Sequence, residues 1–217
     1  MPPIFELMPF AFVLGGSLVA TFARSGRGAS LSAVKALVWL VGPRLDPQRM
    51  RARLAPLAAR IARDGMLRAE HIATGDDEID RMTGSLLATR SLGHMEATLA
   101  QARNTRLAER QRGADTFYVM AQMAPMMGLA GTLWSLASLA EGTEAVGALA
   151  PAVGLAVLTT LHGVVLAHLV ADPLASLIER RAAEEDRQRQ TLANWFAGTV
   201  ARHTNGQSEP PRLGQAA

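Results

Sequence analysis

The sequence contains no cysteine, which excludes disulfides, thiolate nucleophiles and cysteine-based metal sites. It also lacks a glycine-rich phosphate loop and any group of His, Asp and Glu residues with the spacing of a metal site. The nearest candidates, His71 and His94, fall on helices that we predict to be solvated. We therefore expect neither enzymatic activity nor a resident cofactor.

Strand-like alternation of apolar and polar residues is also missing, and the excess of basic residues is small, with a formal net charge of +3. The arginines lie beside apolar segments, a distribution typical of membrane proteins whose basic segments face the cytoplasm. We do not expect nucleic-acid binding. A cleavable signal peptide is not predicted either, since the N-terminus has no basic region and carries Glu6 instead.

Three long uncharged segments hold most of the apolar residues: Leu7–Ala23 with 17 residues, Thr116–Ala140 with 25 and Ala145–Ala171 with 27. About 20 apolar residues suffice for a helix that crosses a bilayer. We predict an all-α membrane protein with three transmembrane helices, at residues 1–23, 116–140 and 145–173. The first segment is short, but its Gly15-Gly16-Ser17 triplet favours close packing against another helix.

Residues 24–115 carry 16 basic and 10 acidic side chains and are predicted to form a helical cytoplasmic domain. Turn and capping residues divide it into three helices. We predict that the first is capped by Ser30 and ends at Gly42-Pro43, and that the second starts at Asp46-Pro47. The third should cover Ile79–Arg112, follow a turn at Gly75-Asp76-Asp77 and have a break around Ser91-Leu92-Gly93.

The charge distribution also predicts the topology. The arginine-rich domain and the basic Arg180-Arg181 pair should be cytoplasmic, the acidic turn at 141–144 external, and the N-terminus outside. A second cytoplasmic helix is predicted for 174–202. The Gly-, Pro- and Gln-rich tail at 203–217 is predicted to be disordered.

Polar side chains inside the apolar segments are candidates for function, because a lipid-facing helix does not need them. Thr132 lies in the second segment and Thr159, Thr160 and His162 in the third. The hydroxyl groups could replace water around a passing cation or bond to a carboxylate of another chain, and His162 could relay a proton. Alternatively, the hydroxyls bond only to carbonyls of their own helices, and His162 is a packed neutral histidine.

Two prolines and one charged helix have a functional and a structural explanation each. Pro125 and Pro173 could act as hinges near the cytoplasmic ends of the second and third spans, or could simply end helices. The helix that carries Arg90 and Glu96 could dock a partner by charge complementarity, or could be an ordinary solvated surface.

Several segments resemble the MotA/TolQ/ExbB family, in particular its flagellar stator branch. The resemblance covers about Glu6 to Arg189. The motifs that carry it are Ala124-Pro125-Met126-Met127-Gly128-Leu129-Ala130-Gly131-Thr132-Leu133-Trp134, similar to the family's third helix, and Leu158-Thr159-Thr160-Leu161-His162-Gly163 with Asp172-Pro173-Leu174-Ala175, similar to its fourth.

The resemblance implies a ring of five subunits around two single-span MotB/ExbD-like partner helices with a membrane aspartate that takes and releases H⁺ or Na⁺. Thr132, Thr159 and Thr160 match the family's pore hydroxyls. It further implies an inner-membrane location with bound lipid, and contact with a flagellar rotor protein, for which Arg90 and Glu96 are our candidates. Stator-branch proteins have four helices, and we expect no counterpart of the first.

Three functions therefore remain open at this stage. The first is a flagellar stator subunit that couples ion flow to torque. The second is a TolQ/ExbB-like energiser of envelope transport. The third is a membrane scaffold that does not conduct ions.

Overall fold

The computed structural model describes residues 7–66, 68–69, 72–140 and 145–206, and within these ranges all regular structure is helical. This agrees with the predicted all-α fold. The elements in chain order are α1 Leu7–Val41, α2 Pro47–Asp64, α3 Asp77–Thr89, α4 Leu92–Ala140, α5 Ala145–Val165, a π-helical segment Leu166–Ala171, and α6 Asp172–Gly206.

Helix α1 is kinked at Gly26, whose backbone has φ 77° and ψ 172°. Only glycine adopts this conformation without strain. The prediction that Ser30 caps a new helix is therefore wrong: the chain turns at Gly26, and the Ser30 hydroxyl donates to the Gly26 carbonyl from inside the helix, at 3.0 Å. The predicted end at Gly42-Pro43 is confirmed, since α1 ends at Val41.

Aspartates cap both α2 and α3. The predicted start of α2 at Asp46-Pro47 is confirmed, whereas α3 begins at Asp77, two residues before the predicted Ile79. The Asp46 carboxylate accepts hydrogen bonds from the backbone N–H groups of Gln48 and Arg49 at 3.0 and 3.1 Å. Asp76 does the same for Glu78 and Ile79 at 3.0 and 3.2 Å. Such caps satisfy N–H groups that have no partner within the helix.

The predicted break in the third cytoplasmic helix is confirmed, although it begins slightly earlier. α3 ends at Thr89, the following Arg90 adopts a left-handed conformation with φ 54°, and α4 begins at Leu92. From there α4 continues to Ala140, through the predicted boundary between residues 115 and 116. Likewise, α6 continues through the boundary between 173 and 174.

Two helical stretches in the described part of the chain are long and apolar enough to cross a bilayer, Leu7–Val41 and Leu149–Arg202. The predicted span at 116–140 is not among them. The arrangement with three spans therefore stays a prediction. Residues 1–6, His71, the turn at 141–144 and the tail from residue 207 lie outside the described residues, but α6 reaches Gly206, so the start of the predicted disordered tail is helical.

The described residues form two compact units. The first contains α1, α4 from Ala108 onward, α5, the π segment and α6 up to Ala182. The second contains α2, α3, α4 up to Leu107 and α6 from Ala183 onward.

The cores of the two units differ in the size of their side chains. The core of the first is rich in alanine, which lets helices approach closely, and its members are Val13, Ala33, Ala36, Ala114, Phe117, Met120, Ala121, Ala124, Leu166, Ala167, Ala171, Ala175 and Ile178. The core of the second has larger side chains, including Leu54, Leu57, Ile61, Met82, Leu86, Met95, Leu192 and Phe196.

Among the described residues, the exposed large apolar side chains all belong to the first unit, and examples are Val19, Val38, Trp134 and Leu169. A surface of this kind is typical of a region that contacts lipid or other protein chains. In the described part of the second unit, the large apolar side chains are buried or half-buried.

The C-terminal end of α1 is anchored to the rest of the first unit through Trp39. Its ring lies between two guanidinium groups, 4.2 Å from Arg110 and 4.7 Å from Arg181. Arg181 also donates to the carbonyl oxygens of Leu40 and, at 2.9 Å, Gly42. These bonds satisfy carbonyl groups at the end of α1 that would otherwise have no partner in the helix.

A buried ion network joins α3, α4 and α6 inside the second unit. Arg189 forms a two-bond pair with Asp76 at 2.7 and 2.9 Å, and Arg103 forms one with Asp186 at 2.8 and 2.9 Å. Arg106 bridges Asp186 and Glu78. Buried charges are tolerated only when they are paired in this way.

The pairing shifts the ionisation of both aspartates. Burial acts to raise the pKa of Asp76, but the hydrogen bonds and charge of Arg189 and the N–H groups at the start of α3 outweigh it, so this pKa lies below its ordinary value. The hydrogen bonds from Arg103 are the main reason that the pKa of Asp186 is also lowered.

Candidate functional site

Two glycines bring α4 and α5 almost into backbone contact. A Cβ atom added at Gly128 of α4 would lie 2.9 Å from the carbonyl oxygen of Thr159, and one added at Gly163 of α5 would lie 2.6 Å from that of Ala124. Both distances are shorter than real Cβ atoms show. Glycine is therefore the residue that permits the crossing of these helices.

Thr159 lies inside this crossing. A Cβ at Gly131 would lie 2.9 Å from the Thr159 Cβ, so the threonine side chain occupies the space that the glycine leaves. Thr159 is 3% exposed, and its hydroxyl donates to the Ala156 carbonyl of its own helix at 2.9 Å. Within this chain it is a packing residue of the crossing.

Thr132 and Thr160 are half-buried, one on each helix. They are the chain neighbours of Gly131 and Thr159, which are in contact, so the two threonines lie at the same level of the crossing. Each hydroxyl donates to its own helix, Thr132 to Leu129 at 2.6 Å and Thr160 to Ala156 at 3.2 Å. A donating hydroxyl oxygen keeps lone pairs with which it can coordinate a cation or accept a proton.

Neither of the two candidate hinge prolines ends a helix. Pro125 lies within α4, where its Cα is 3.2 Å from the position that a Cβ of Gly163 would take. Pro173 is the second residue of α6 and follows the π-helical segment without interruption. The explanation that these prolines terminate helices is wrong, and the hinge role stays a prediction.

His162 is buried between α5 and α1. It is 3% exposed, and its ring contacts Phe10 edge to face, with ring centroids 5.5 Å apart and an interplanar angle of 74°. This arrangement agrees with the alternative in which His162 is a packed histidine and not a proton relay. The candidate contact residues Arg90 and Glu96 are both exposed, and their partner contact is a prediction that the single chain does not test.

An exposed histidine–carboxylate pair near the end of the apolar segment was not among the predicted site residues. The Nδ1 atom of His168 lies 2.9 Å from Oδ2 of Asp172, one helical turn further along the chain. Asp172 marks the end of the uncharged segment, and the spacing of four residues in the sequence is the signal that could have revealed the pair. The π segment, which sequence patterns do not indicate, holds His168 and ends immediately before Asp172.

Comparison with known proteins shows which family the chain resembles. The model of the MotA/TolQ/ExbB proton channel family matches residues 59–191, which include all of the crossing and more than half of the chain. The chain belongs to this family. The family resemblance expected from the motifs is thereby confirmed.

Curated relatives of this family member include motility proteins. Chemotaxis protein PomA of Vibrio alginolyticus is 24% identical over 188 residues, which are 86% of this chain and 74% of PomA. Motility protein A of Borreliella burgdorferi is 36% identical over 73 residues, which are 34% of this chain and 28% of that protein.

Two solved structures share the fold of the family member. The structure of C. jejuni MotAB has a TM-score of 0.79 at 17% identity and covers 98% of this chain and 89% of its own. The flagellar MotAB stator complex from Bacillus subtilis has a TM-score of 0.78 at 15% identity and covers 97% of this chain and 86% of its own. At such identities the likeness concerns the fold alone.

Proposed function

We propose that the chain is an ion-conducting stator subunit of a flagellar motor in the bacterial inner membrane. It forms a ring, of five copies, around two helices of a single-span MotB-like partner. H⁺ or Na⁺ passes between ring and partner, and the resulting movement is coupled to mechanical work on the rotor. The observation that carries the proposal is the glycine crossing of α4 and α5, which holds Thr132 and Thr160 at one level.

The crossing has the chemistry that ion passage requires. An ion that leaves water for an apolar medium needs oxygen atoms in place of its hydration shell, and ionisable or polar groups in such a medium are costly without a function. Thr132 and Thr160 offer hydroxyl oxygens at the same level, where a partner carboxylate could meet them. Thr159, buried against Gly131, holds the two helices in register.

The surface of the first unit supports assembly into a ring within a membrane. Exposed Leu133 and Trp134 on α4 and Val157 and Leu161 on α5 need lipid, another copy or a partner helix as cover. The relatives support the same proposal, since the names of two of the solved structures describe complexes of MotA with MotB. We propose that the arginine-rich second unit is cytoplasmic and that the exposed Arg90 and Glu96 contact a rotor protein.

A deletion and complementation experiment in the native host tests the proposal. Deletion of the gene should abolish or slow swimming while flagella are still assembled, and the wild-type gene should restore it. The protein that co-purifies from membranes should have one span with a membrane aspartate. Normal swimming combined with a defect in envelope transport would replace the stator by a TolQ/ExbB-like energiser, and the absence of any ion-dependent phenotype or partner would favour a scaffold.

A further inference from the structure

His168 and Asp172 form an ionisable pair on a part of the chain that is otherwise apolar. We propose that this pair takes up protons that leave the ion pathway on the cytoplasmic side, and that the transported ion is therefore H⁺. The inference rests on the proposed function, which leaves the ion open. It assigns a proton-transfer role to two residues beyond the threonines of the crossing.

The surroundings of the pair leave each side chain with a single ionic partner. Among the described residues, Asp172 is the charged group within ion-pair distance of His168, at 2.9 Å. Leu166, Ala167 and Ala171 of the same π segment are buried in the alanine-rich core of the first unit. The residues of α1 and α4 in that core are also apolar. An ionisable pair in such surroundings is a candidate for function rather than for stability.

The hydrogen bond indicates which tautomer the neutral imidazole adopts. An ionised carboxylate only accepts hydrogen bonds, so Nδ1 of His168 must carry the hydrogen that Asp172 accepts. Nε2 of the neutral ring is then free of a hydrogen and is the atom that can receive a proton. The carboxylate orients the ring and stabilises the imidazolium that forms, as a carboxylate does for a catalytic histidine.

The pair follows α5, the helix that carries Thr160, with His168 in the π segment and Asp172 at the start of α6. Val157, Leu161 and Val164 of α5 are exposed, and His168, eight residues after Thr160, is exposed in the π segment that follows. The His168 side chain is 65% exposed. His162, two residues after Thr160, is buried, so His168 is the first exposed ionisable side chain after the threonine level.

The π segment adds a structural reason to expect function here. In its widened turn the Asp172 N–H donates a hydrogen bond to the carbonyl of Ala167, and His168 lies between these two residues. Single π-helical turns within α-helices are frequent at functional sites.

The proton transfer is balanced without any further reactant. A hydronium ion or a carboxylic acid within the pathway gives a proton to Nε2 of His168, leaving water or a carboxylate and forming an imidazolium. Cytoplasmic water then removes the proton from Nε2. The hydrogen on Nδ1 stays hydrogen-bonded to the Asp172 carboxylate throughout, so the pair returns to its starting state after each proton has passed.

Proton entry into vesicles tests the proposal directly. The complex is purified from native membranes with its partner, reconstituted with a trapped pH-sensitive dye, and exposed to an acid jump. His168→Ala should slow proton entry about 100-fold, the lower end of what a positioned proton-transfer group contributes. Because the site is exposed, added imidazole should restore much of the rate, which a merely structural role would not predict. His94→Ala, at an exposed histidine of the second unit, is the matched control and should leave the rate unchanged.

The outcomes separate this inference from the proposed function. A wild-type rate in His168→Ala, or a slow rate that imidazole does not restore, would overturn the role of His168. If Thr160→Val slows entry while His168→Ala does not, the pathway stands and only the proton-uptake pair is refuted. Wild-type vesicles that admit Na⁺ but not H⁺ would refute the inference alone, and vesicles that admit neither would refute the proposed function itself.

Discussion

Gly131 of α4 lies directly against Thr159 of α5: a Cβ at residue 131 would lie 2.9 Å from the Cβ of the threonine. The contact sets the register between the two helices, because the side chain of one residue occupies the space left by the other. As a consequence, Thr132 and Thr160 lie at the same level. The small residues of this family motif therefore determine the relative positions of the two threonines.

A methyl group at Gly163 should destabilise the first unit. In Gly163→Ala the new Cβ would lie 2.6 Å from the carbonyl oxygen of Ala124, and overpacking of this kind costs about 1–3 kcal/mol. That cost exceeds the gain of up to about 1 kcal/mol that alanine brings to a helix. Thermal unfolding in detergent, followed by circular dichroism, should show a lower midpoint.

Gly154→Ala on the same helix is the matched control, since no atom lies within 4 Å of its added Cβ. Its midpoint should equal or exceed that of the wild type. Equal midpoints for Gly163→Ala and Gly154→Ala would show that the crossing is looser than the structure indicates.

The buried pair of Asp76 and Arg189 should contribute strongly to the stability of the second unit. Both side chains are nearly buried, 15% and 12% exposed. Asparagine caps a helix as well as aspartate does, so Asp76→Asn removes the charge and keeps the cap. Loss of one member of a buried pair costs about 3–5 kcal/mol, measured as the change in the free energy of unfolding with denaturant.

Asp46→Asn provides the comparison for this change. Asp46 caps α2 with the same two hydrogen bonds but is 47% exposed, so its substitution should alter stability by no more than a few tenths of a kcal/mol. A similar loss in both variants would assign the effect to capping and not to the buried pair.

Acid should destabilise the protein through the same network. The pKa values of Asp76 and Asp186 are lowered in the folded state, so their contribution is present above the unfolded value, about 3.9. It is lost as the pH falls below that value and through the lower folded values. Unfolding midpoints measured between neutral and acidic pH should drop in this window, and the drop should be smaller in Asp76→Asn. A drop of unchanged size in that variant would contradict the assignment.

The predicted topology can be tested with single cysteines, because the natural sequence has none. A cysteine at Ser30 and one at Thr143 should react with a membrane-impermeant reagent from opposite sides of the membrane. The reason is that the arginine-rich residues after Arg24 should stay in the cytoplasm while the acidic 141–144 turn is external. Labelling of both from the same side would contradict the arrangement with three spans.

Local signals in the sequence predicted the limits of several helices correctly. Asp46-Pro47 and Gly75-Asp76 are capping and turn sequences whose effect depends only on neighbouring residues, and Gly42-Pro43 ends α1 for the same reason. The kink at Gly26 was not predicted, and Ser30 was chosen as a cap instead. A serine often caps a helix, whereas a glycine in a sequence does not by itself indicate a left-handed conformation. The continuity of α4 was not predicted, because the sequence changes from charged to uncharged residues near Asp115. The helical backbone continues through this change.

Features that depend on distant residues were not predictable in this way. Asp76 and Arg189 are 113 residues apart, and no periodicity connects them. The three threonines were found from their polarity within apolar segments, but the sequence did not distinguish buried Thr159 from half-buried Thr132 and Thr160. That distinction comes from Gly131, which receives the side chain of Thr159.

The hydroxyl groups at the crossing are the central element of the account, and ion flux through the purified complex in vesicles tests them most directly. The double variant Thr132→Val, Thr160→Val keeps the branched shape of both side chains and removes both oxygens. Each lost contact costs about 0.5–1.5 kcal/mol, so the two together should slow flux of H⁺ or Na⁺ by roughly tenfold or more, with the partner still co-purifying.

Thr105→Val is the control for this measurement, since the Thr105 hydroxyl also donates to its own helix, at 3.1 Å, but is exposed in the second unit. Its flux should match the wild type. Flux at the wild-type rate in the double variant, with the complex intact, would contradict the account and reduce Thr132 and Thr160 to residues that only bond to their own helices.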